Sequence, residues 1–484
     1  MIDLQPIQRA LAAMDASAAH AASGENRPRP DEIFAPEQHA GALDPNTTLV
    51  LGARGAGKSF WAGVLGNQET RRAAAQAYPH LGLEQLVVRF GFTGIENDGS
   101  ISKATIQAQV PEGEERTRGV LLWRCVVLRG LLEASETQTE RLTIKRMMER
   151  YADPEEWEQE CSLADAALMR SGKRVLIIFD ALDALAEKWG RLRDLTDALL
   201  EVAWGIRGYR SVRAKLFLRP DQMRDLGLRF VELPKLMAGS TNLRWTGTNL
   251  YGMLFTRLST VKDLDAKKTF NLLLQDVGIN AATAFTRRGS RWSLVANRFR
   301  QAQIFRRLAG QYMGRGNKKG RTYDWPLNHL SDGHGEVTPR SFLTLMIVAA
   351  RTSSPPPGQA LTAEGIRNGL REASKVRLDQ LVLEFPWIKR VLAPLARLQV
   401  PSSEEAIVVR WEESGTIGAV MKRANLGEFL PPFDPQAEGS DEGKLIARLV
   451  TIGVLALRND GRFDMPDLFR VAAQLLRKGG VAPG

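Results

Sequence analysis

The residues best suited to chemistry lie near the start of the chain. Gly52-Ala53-Arg54-Gly55-Ala56-Gly57-Lys58-Ser59 fits G-x-x-x-x-G-K-[ST] at every fixed position. Glycines there permit torsions that a Cβ disfavours, so backbone N–H groups can turn onto phosphate oxygens. A helix opening at the end of the loop adds partial positive charge. Lys58 would set its ammonium between the β- and γ-phosphates of a nucleoside triphosphate, and Ser59 would offer its hydroxyl oxygen to Mg2+. Gly52, Arg54, Gly55, Ala56, Gly57, Lys58, Ser59 and Phe60 are therefore the expected nucleotide-binding residues. The competing reading is a Gly-rich turn without a ligand.

A second set follows the apolar run at 174–179. The stretch reads R-V-L-I-I-F-D-A-L-D, so Asp180 ends a strand and Asp183 lies three residues on. At a strand end beside a phosphate loop, Asp180 can reach Mg2+. If the chain turns there, Asp183 can orient or deprotonate an attacking water. The alternative for both is a strand-ending turn with an Asp helix cap.

These residues need strands to hold them. Residues 47–52 (TTLVLG) are apolar, β-branched and short, which marks a buried strand; 86–92, 174–179 (RVLIIF, the clearest) and 214–218 (AKLFL) read as further strands. Residues 230–233 are a candidate for the last strand, and 93–115 read as a hairpin or long loop. Helical periodicity fills 119–132, 137–151, 154–171 and 192–206. Strands alternating with helices imply an α/β fold with a parallel sheet covered on both faces. Past residue 240 the pattern is helical. The run Ser353-Ser354-Pro355-Pro356-Pro357-Gly358 cannot continue a helix and marks a boundary. The C-terminal end reads helix, short strand, an Asn459-Asp460-Gly461 turn, then a helix over 466–478.

With 484 residues, 44% hydrophobic and 25% charged, wholesale disorder is excluded and several domains are expected. The net charge of +11 is local: residues 201–330 hold 24 Lys and Arg against 8 Asp and Glu, an excess of +16. Cys125 and Cys161 are too few for a disulfide framework, which favours a reducing cytoplasm. No His or Cys spacing suggests a structural metal site. Residues 1–22 read as an amphipathic helix rather than a signal peptide, and no apolar run spans a bilayer.

The acidic stretch, taken with the phosphate loop, resembles the STAND branch of P-loop NTPases, of bacterial type. That branch is related to AAA+ proteins and includes NACHT, NB-ARC and KAP-like ATPases. The resemblance implies a P-loop core, a helical lid and a C-terminal helical or winged-helix-like domain. It also implies an ATPase using ATP and Mg2+, with an insertion accounting for the long interval from Lys58 to Asp180. Arg219-Pro220 stands where this family keeps its first sensor of the γ-phosphate, and Thr338-Pro339-Arg340 resembles the second-sensor helix, with Arg340 facing the nucleotide. The plain alternatives are a surface Arg at a strand end and an ordinary capped helix. The family often places another acid after the second; Ala184 stands there instead. Arg207, Arg210 and Arg213 would suit an intersubunit finger or a solvated helix end.

The expected layout is an N-terminal helix and linker at 1–40, the ATPase core at 41–240, a helical lid at 241–352 and the C-terminal domain at 353–484. The expected activity is ATP hydrolysis driving a switch or assembly platform, with Lys58, Asp183 and Arg219 catalytic and Ser59 and Asp180 on the metal. The resemblance further implies a homo-oligomer, or a complex with a separate effector protein in antiphage or conflict defence. One alternative is a DNA-binding motor or loader that holds nucleic acid through the Arg- and aromatic-rich residues 287–321 and a winged helix. Another, permitted by Ala184, is a nucleotide-gated scaffold with little turnover.

Overall fold

Apolar runs with no polar alternation need cover on both faces, and the sheet of this protein has it. The computed structural model describes residues 2–16, 27–96, 98–136, 142–186, 188–225, 229–280, 287–288, 291–292, 297–435 and 437–482. It forms two compact units, Ala19–Arg244 and Met1–Ala18 with Trp245–Gly484.

The first unit is built on a five-stranded sheet in the order β2-β3-β4-β1-β5, where β1 is Leu49–Leu51, β2 Leu86–Phe92, β3 Arg174–Phe179, β4 Val212–Leu218 and β5 Thr241–Asn242. All pairings are parallel. From β1 the chain crosses to the far edge at β2 and returns through β3 and β4. It then passes β1 to reach β5 at the opposite edge. The carboxyl ends of β1, β4 and β3 therefore lie side by side, where open α/β sheets hold ligands.

The two-residue period of β3 divides the core. Val175, Ile177 and Phe179 face one side, with Trp123 and Leu195 from helices Glu115–Ser135 and Trp189–Gly205. Leu176 and Ile178 face the other, with Trp61, Leu65 and Tyr78. Truncating Ile177 to Ala should cost ~2–5 kcal/mol through lost burial and the cavity left behind. Helices Lys103–Gln109, Glu115–Ser135, Ile144–Arg150 and Pro154–Arg170 stand between β2 and β3, which accounts for the long interval from Lys58 to Asp180. Gly130 lets helix Glu115–Ser135 lie close on the sheet, since a Cβ there would come within 2.5 Å of Ile177. Cys125 and Cys161 are buried free thiols, and burial raises the pKa of each.

Two local expectations give way to tertiary contacts. The 230–233 strand is replaced by helix Leu233–Ala238, and the fifth strand falls later, at β5. Pro234 cannot donate to a ladder but suits a first helical turn. The Asp197 carboxylate accepts from the Arg229 and Phe230 backbone N–H groups (3.0 and 3.3 Å), occupying donors a strand would need. Within 93–115, Ser102 caps helix Lys103–Gln109 by accepting from Thr105 N at 3.1 Å.

In the second unit the N-terminal helix spans Gln5–Ala12 and does not continue through 13–16; residues 17–22 of the expected helix lie outside the described residues. It buries Ile7 and Leu11, and Gln8 Nε2 donates to the carbonyls of Ala350 (2.9 Å) and Ser353 (2.8 Å). Helices Pro339–Thr352 and Ala363–Glu384 pack together across the Pro-rich run. The basic middle holds a short antiparallel pair, β6 (Arg287–Arg288) and β7 (Arg291–Trp292); residues 289–290 and 293–296 lie outside the described residues. Most of its described aromatics are core. Phe305 and Tyr323 are buried, and Tyr323 stacks on Tyr251 with centroids 4.1 Å apart. Phe299 is the exposed one.

Near the C-terminus, helix Asp441–Thr451 leads into an antiparallel hairpin, β8 (Ala456–Leu457) and β9 (Phe463–Asp464), to which Ser402 adds a bridge. This is the pattern of a winged-helix module. The helix expected over 466–478 shortens to Asp467–Arg470. Leu476 instead pairs with Leu398 and Val400 (both 2.9 Å), so sheet-like pairing takes those backbone groups. Among the described residues, no helix is long and apolar enough to cross a membrane.

In the first unit His39 ties the helix after the phosphate loop to the unit's last residue. Trp61 Nε1 donates to His39 Nδ1 (3.3 Å), and His39 Nε2 lies 2.9 Å from the Arg244 carbonyl. The ring is therefore the neutral Nε2–H tautomer. Burial lowers its pKa from 6.5 to about 4. The folded value lies below the unfolded one, so the unfolded chain binds more protons between them and stability is lost as pH is lowered through that window. His39→Gln can keep both hydrogen bonds without titrating. Urea unfolding between pH 6.5 and 4 should show a steeper loss of stability in wild type than in His39→Gln; parallel pH profiles would refute this role.

Candidate active site

The phosphate loop follows β1 and is anchored at its base, where Gly52 N donates to Leu218 O of β4 at 3.1 Å. Gly57 has φ +104 and precedes helix Lys58–Gly66, a conformation that an L side chain rarely adopts. Lys58 folds back on the loop, its Nζ donating to the carbonyls of Gly52 (2.8 Å) and Ala53 (3.2 Å). Gly55 also takes a positive φ, and Ala56 is buried. Phe60 points toward the core and meets Trp61 edge-on at 5.2 Å.

Asp180 ends β3. Its N–H donates to Phe92 O at 2.9 Å, and its carboxyl is buried. Burial raises its pKa, against the Ser59 hydroxyl bond, the Lys58 charge and the Ala181 backbone bond, which lower it. Ala181 then takes φ +52, turning the chain into a short 3-10 helix, Leu182–Ala184. That turn brings Asp183 to the phosphate loop. Its Oδ2 lies 3.2 Å from Arg54 Nη2 and 3.3 Å from Arg219 Nη1. Arg219 follows β4, is 6% exposed, and is held by Gln222, whose Oε1 accepts the Arg219 N–H at 2.9 Å.

Arg54, Lys58, Ser59, Asp180, Asp183 and Arg219 thus converge at the carboxyl ends of β1, β3 and β4. Arg340 belongs to the other compact unit, in helix Pro339–Thr352, whose cap Thr338 accepts from Ser341 N at 3.3 Å. Arg207, Arg210 and Arg213 lie at the amino end of β4, the end of the sheet away from the loop; Arg213 Nη1 donates to the carbonyls of Tyr209 and Val212, both at 2.6 Å. Sequence reasoning did not find Gln222, nor the sharing of Asp183 by two arginines. The first had a signal in its place three residues after Arg219; the second depends on strand order and had none.

Among the described residues, no group of three or more His, Cys, Asp and Glu could hold a metal. A hard cation here would use the Ser59 hydroxyl and the buried Asp180 carboxylate, with its other oxygens from phosphate and water, as Mg2+ sites do. A buried carboxylate already bonded to that hydroxyl suits this donor set.

No protein-family model matches the sequence, and no curated protein does. Among solved structures, the chain is similar to a Walker-type ATPase of Pyrococcus abyssi, at 9% identity over 91% of this chain and 96% of that one, TM-score 0.37. It is also similar to the Orc1 protein of Aeropyrum pernix, solved in complex with DNA, at 15% identity over 92% of each chain, TM-score 0.33. A third is Cdc6p from Pyrobaculum aerophilum, at 11% identity over 94% of each chain, TM-score 0.31.

The raised pKa of Asp180 has a sign that can be tested. A folded pKa above the unfolded 3.8 means this group contributes stability only at low pH, and that contribution is lost as pH rises through the folded value. Asp180→Asn should therefore melt higher than wild type at neutral pH without ligand, and the gap should close on acidification. A lower melting temperature for Asp180→Asn at neutral pH would show that the ionised carboxylate stabilises the fold.

Proposed function

We propose that the chain is a Mg2+-dependent ATPase of the STAND or AAA+-like kind, whose nucleotide state acts as a switch. The observation that carries this reading is the convergence of Lys58, Ser59, Asp180, Asp183 and Arg219 beside the phosphate loop. The branch assignment rests on the R-V-L-I-I-F-D-A-L-D stretch and Arg219-Pro220. The base is taken from the same resemblance, since no residue of the site specifies adenine. The oligomer, the effector partner and the defence role have no support beyond that resemblance.

Catalysis in such a site is mostly positioning and electrostatics. Lys58 exchanges the carbonyls of Gly52 and Ala53 for phosphate oxygens. Arg54 and Arg219 exchange Asp183 for phosphate, which spreads the transferring charge over two guanidinium groups. Asp183, released, orients the attacking water and accepts its proton. Mg2+, held by Ser59 and Asp180, neutralises phosphate charge when bound. Arg340 would report the nucleotide from the helical unit.

Phosphate release and nucleotide titration test this on the full chain. Lys58→Ala should abolish measurable hydrolysis. Arg219→Ala should lower kcat by ~10³-fold, the range found for arginines that stabilise the transferring phosphoryl group. Asp183→Asn should lower kcat by about 10²-fold or more, yet tighten ATP binding, because both arginines lose their competing carboxylate. Normal hydrolysis by Lys58→Ala would overturn the proposal. Tight ATP binding with negligible wild-type turnover would favour the scaffold reading that Ala184 permits.

A further inference from the structure

The second unit contains a cationic cleft whose lining shares no residue with the phosphate-loop site. Residues 313–321 read M-G-R-G-N-K-K-G-R, three glycines and four cations in one loop. The loop is pinned at its base: Tyr312 bridges Arg321, Met313 N donates to Gly320 O (3.0 Å), and Thr322 N donates to Gln311 O (3.1 Å). Its tip is a 3-10 turn, Asn317–Lys319, bracketed by glycines. The loop therefore presents Arg315, Lys318, Lys319 and Arg321 to solvent on a short, fixed frame.

The cleft has a volume of about 510 Å³. Lys318, Lys319 and Arg321 line one side, Arg367 and Arg371 line another, and the C-terminal residues 479–482 close it. Trp325 forms part of the floor, stacked on the His329 ring at 4.0 Å; that ring bonds through Nδ1 to Asp467.

Charge here is out of balance. Arg367 and Arg371 share one carboxylate, that of Glu364, at 2.8 and 3.3 Å. Asp324, the acid on the wall, is taken by Arg298 at 2.7 Å. Among the described residues, Arg315, Lys318, Lys319 and Arg321 have no carboxylate partner. The winged hairpin differs: Arg458 and Arg462 are both paired with Asp460, at 3.6 and 2.7 Å. The glycine-rich loop thus carries four cations without a carboxylate partner, whereas both of these wing arginines are paired.

Small-molecule pockets are mostly apolar and bury most of their ligand. This cleft brings five guanidinium and ammonium groups together beside Met313, Trp325 and Val481. Such a surface suits a chain of phosphates, whose counterions are released on binding. We propose that the cleft binds the phosphate backbone of a nucleic acid strand, with Lys318, Lys319 and Arg321 as phosphate contacts and Arg367 and Arg371 as the opposite wall. The contacts are to backbone, so little sequence preference follows. The proposal does not depend on the ATPase reading.

The test is fluorescence anisotropy of the full chain with labelled single-stranded and duplex DNA across a salt series. Wild type should bind at low salt. Lys318→Glu, Lys319→Glu and Arg321→Glu combined should weaken binding by about 100-fold or more. Removing three contacts should flatten the log–log salt slope by about 2 for single strands and nearer 3 for duplex; the two probes show which form the cleft prefers. The side chains are exposed, so the variant should melt as wild type does; should it not fold, the three Gln substitutions carry the test. The proposal is overturned if wild type binds neither DNA, if the variant binds as wild type does, or if inorganic tripolyphosphate displaces DNA as well, phosphate for phosphate, as unlabelled DNA does.

Discussion

The carboxylate of Asp183, shared between Arg54 and Arg219, joins three strand ends into one site. Arg54 comes from the loop after β1, Asp183 from the turn after β3 and Arg219 from the end of β4. None is near another in sequence; the strand order makes them neighbours. Two positive groups this close repel unless an anion sits between them. Asp183 fills that role in the protein itself, and a triphosphate would compete for the same place. The turn that aims Asp183 uses a left-handed Ala181, a strained conformation for a residue with a Cβ.

The sheet was legible because burial wrote it plainly. V-L-I-I-F at 175–179 is apolar whichever face is considered, which suits a strand covered on both sides; in A-K-L-F-L the one cation, Lys215, is buried on backbone carbonyls. The phosphate loop was legible because its glycines answer a backbone need that few other sequences meet. Less legible was whatever depended on distant partners. Residues 230–233 look like a strand alone, but Asp197 takes their donors and Pro234 starts a helix. The 466–478 segment looks helical alone, yet Leu476 has a better partner in residues 398–400. The pairing of Arg54 with Asp183 depends on a sheet order that no local pattern encodes.

The basic middle was legible as a charge excess but not as a shape. Its aromatics suggested base stacking, while Phe305 and Tyr323 turn inward onto Tyr251, which also meets Phe342. Four of the exposed cations, Arg315, Lys318, Lys319 and Arg321, stand on a short glycine-rich loop. On the two proposals above, the protein would meet phosphate in two unrelated ways. One is a backbone cradle at a helix N-terminus; the other is a set of side-chain cations on a pinned loop. The first suits a defined triphosphate, the second an extended polyanion.

The most direct test of the central claim is a crystal structure of the full chain with Mg2+ and a non-hydrolysable ATP analogue. The account predicts Lys58 Nζ on the terminal phosphates, away from the Gly52 and Ala53 carbonyls. Ser59 and Asp180 should lie about the ion, and Arg219 should have turned from Asp183 to the γ-phosphate. An analogue bound elsewhere, or one bound at the loop with both arginines still on Asp183, would contradict it.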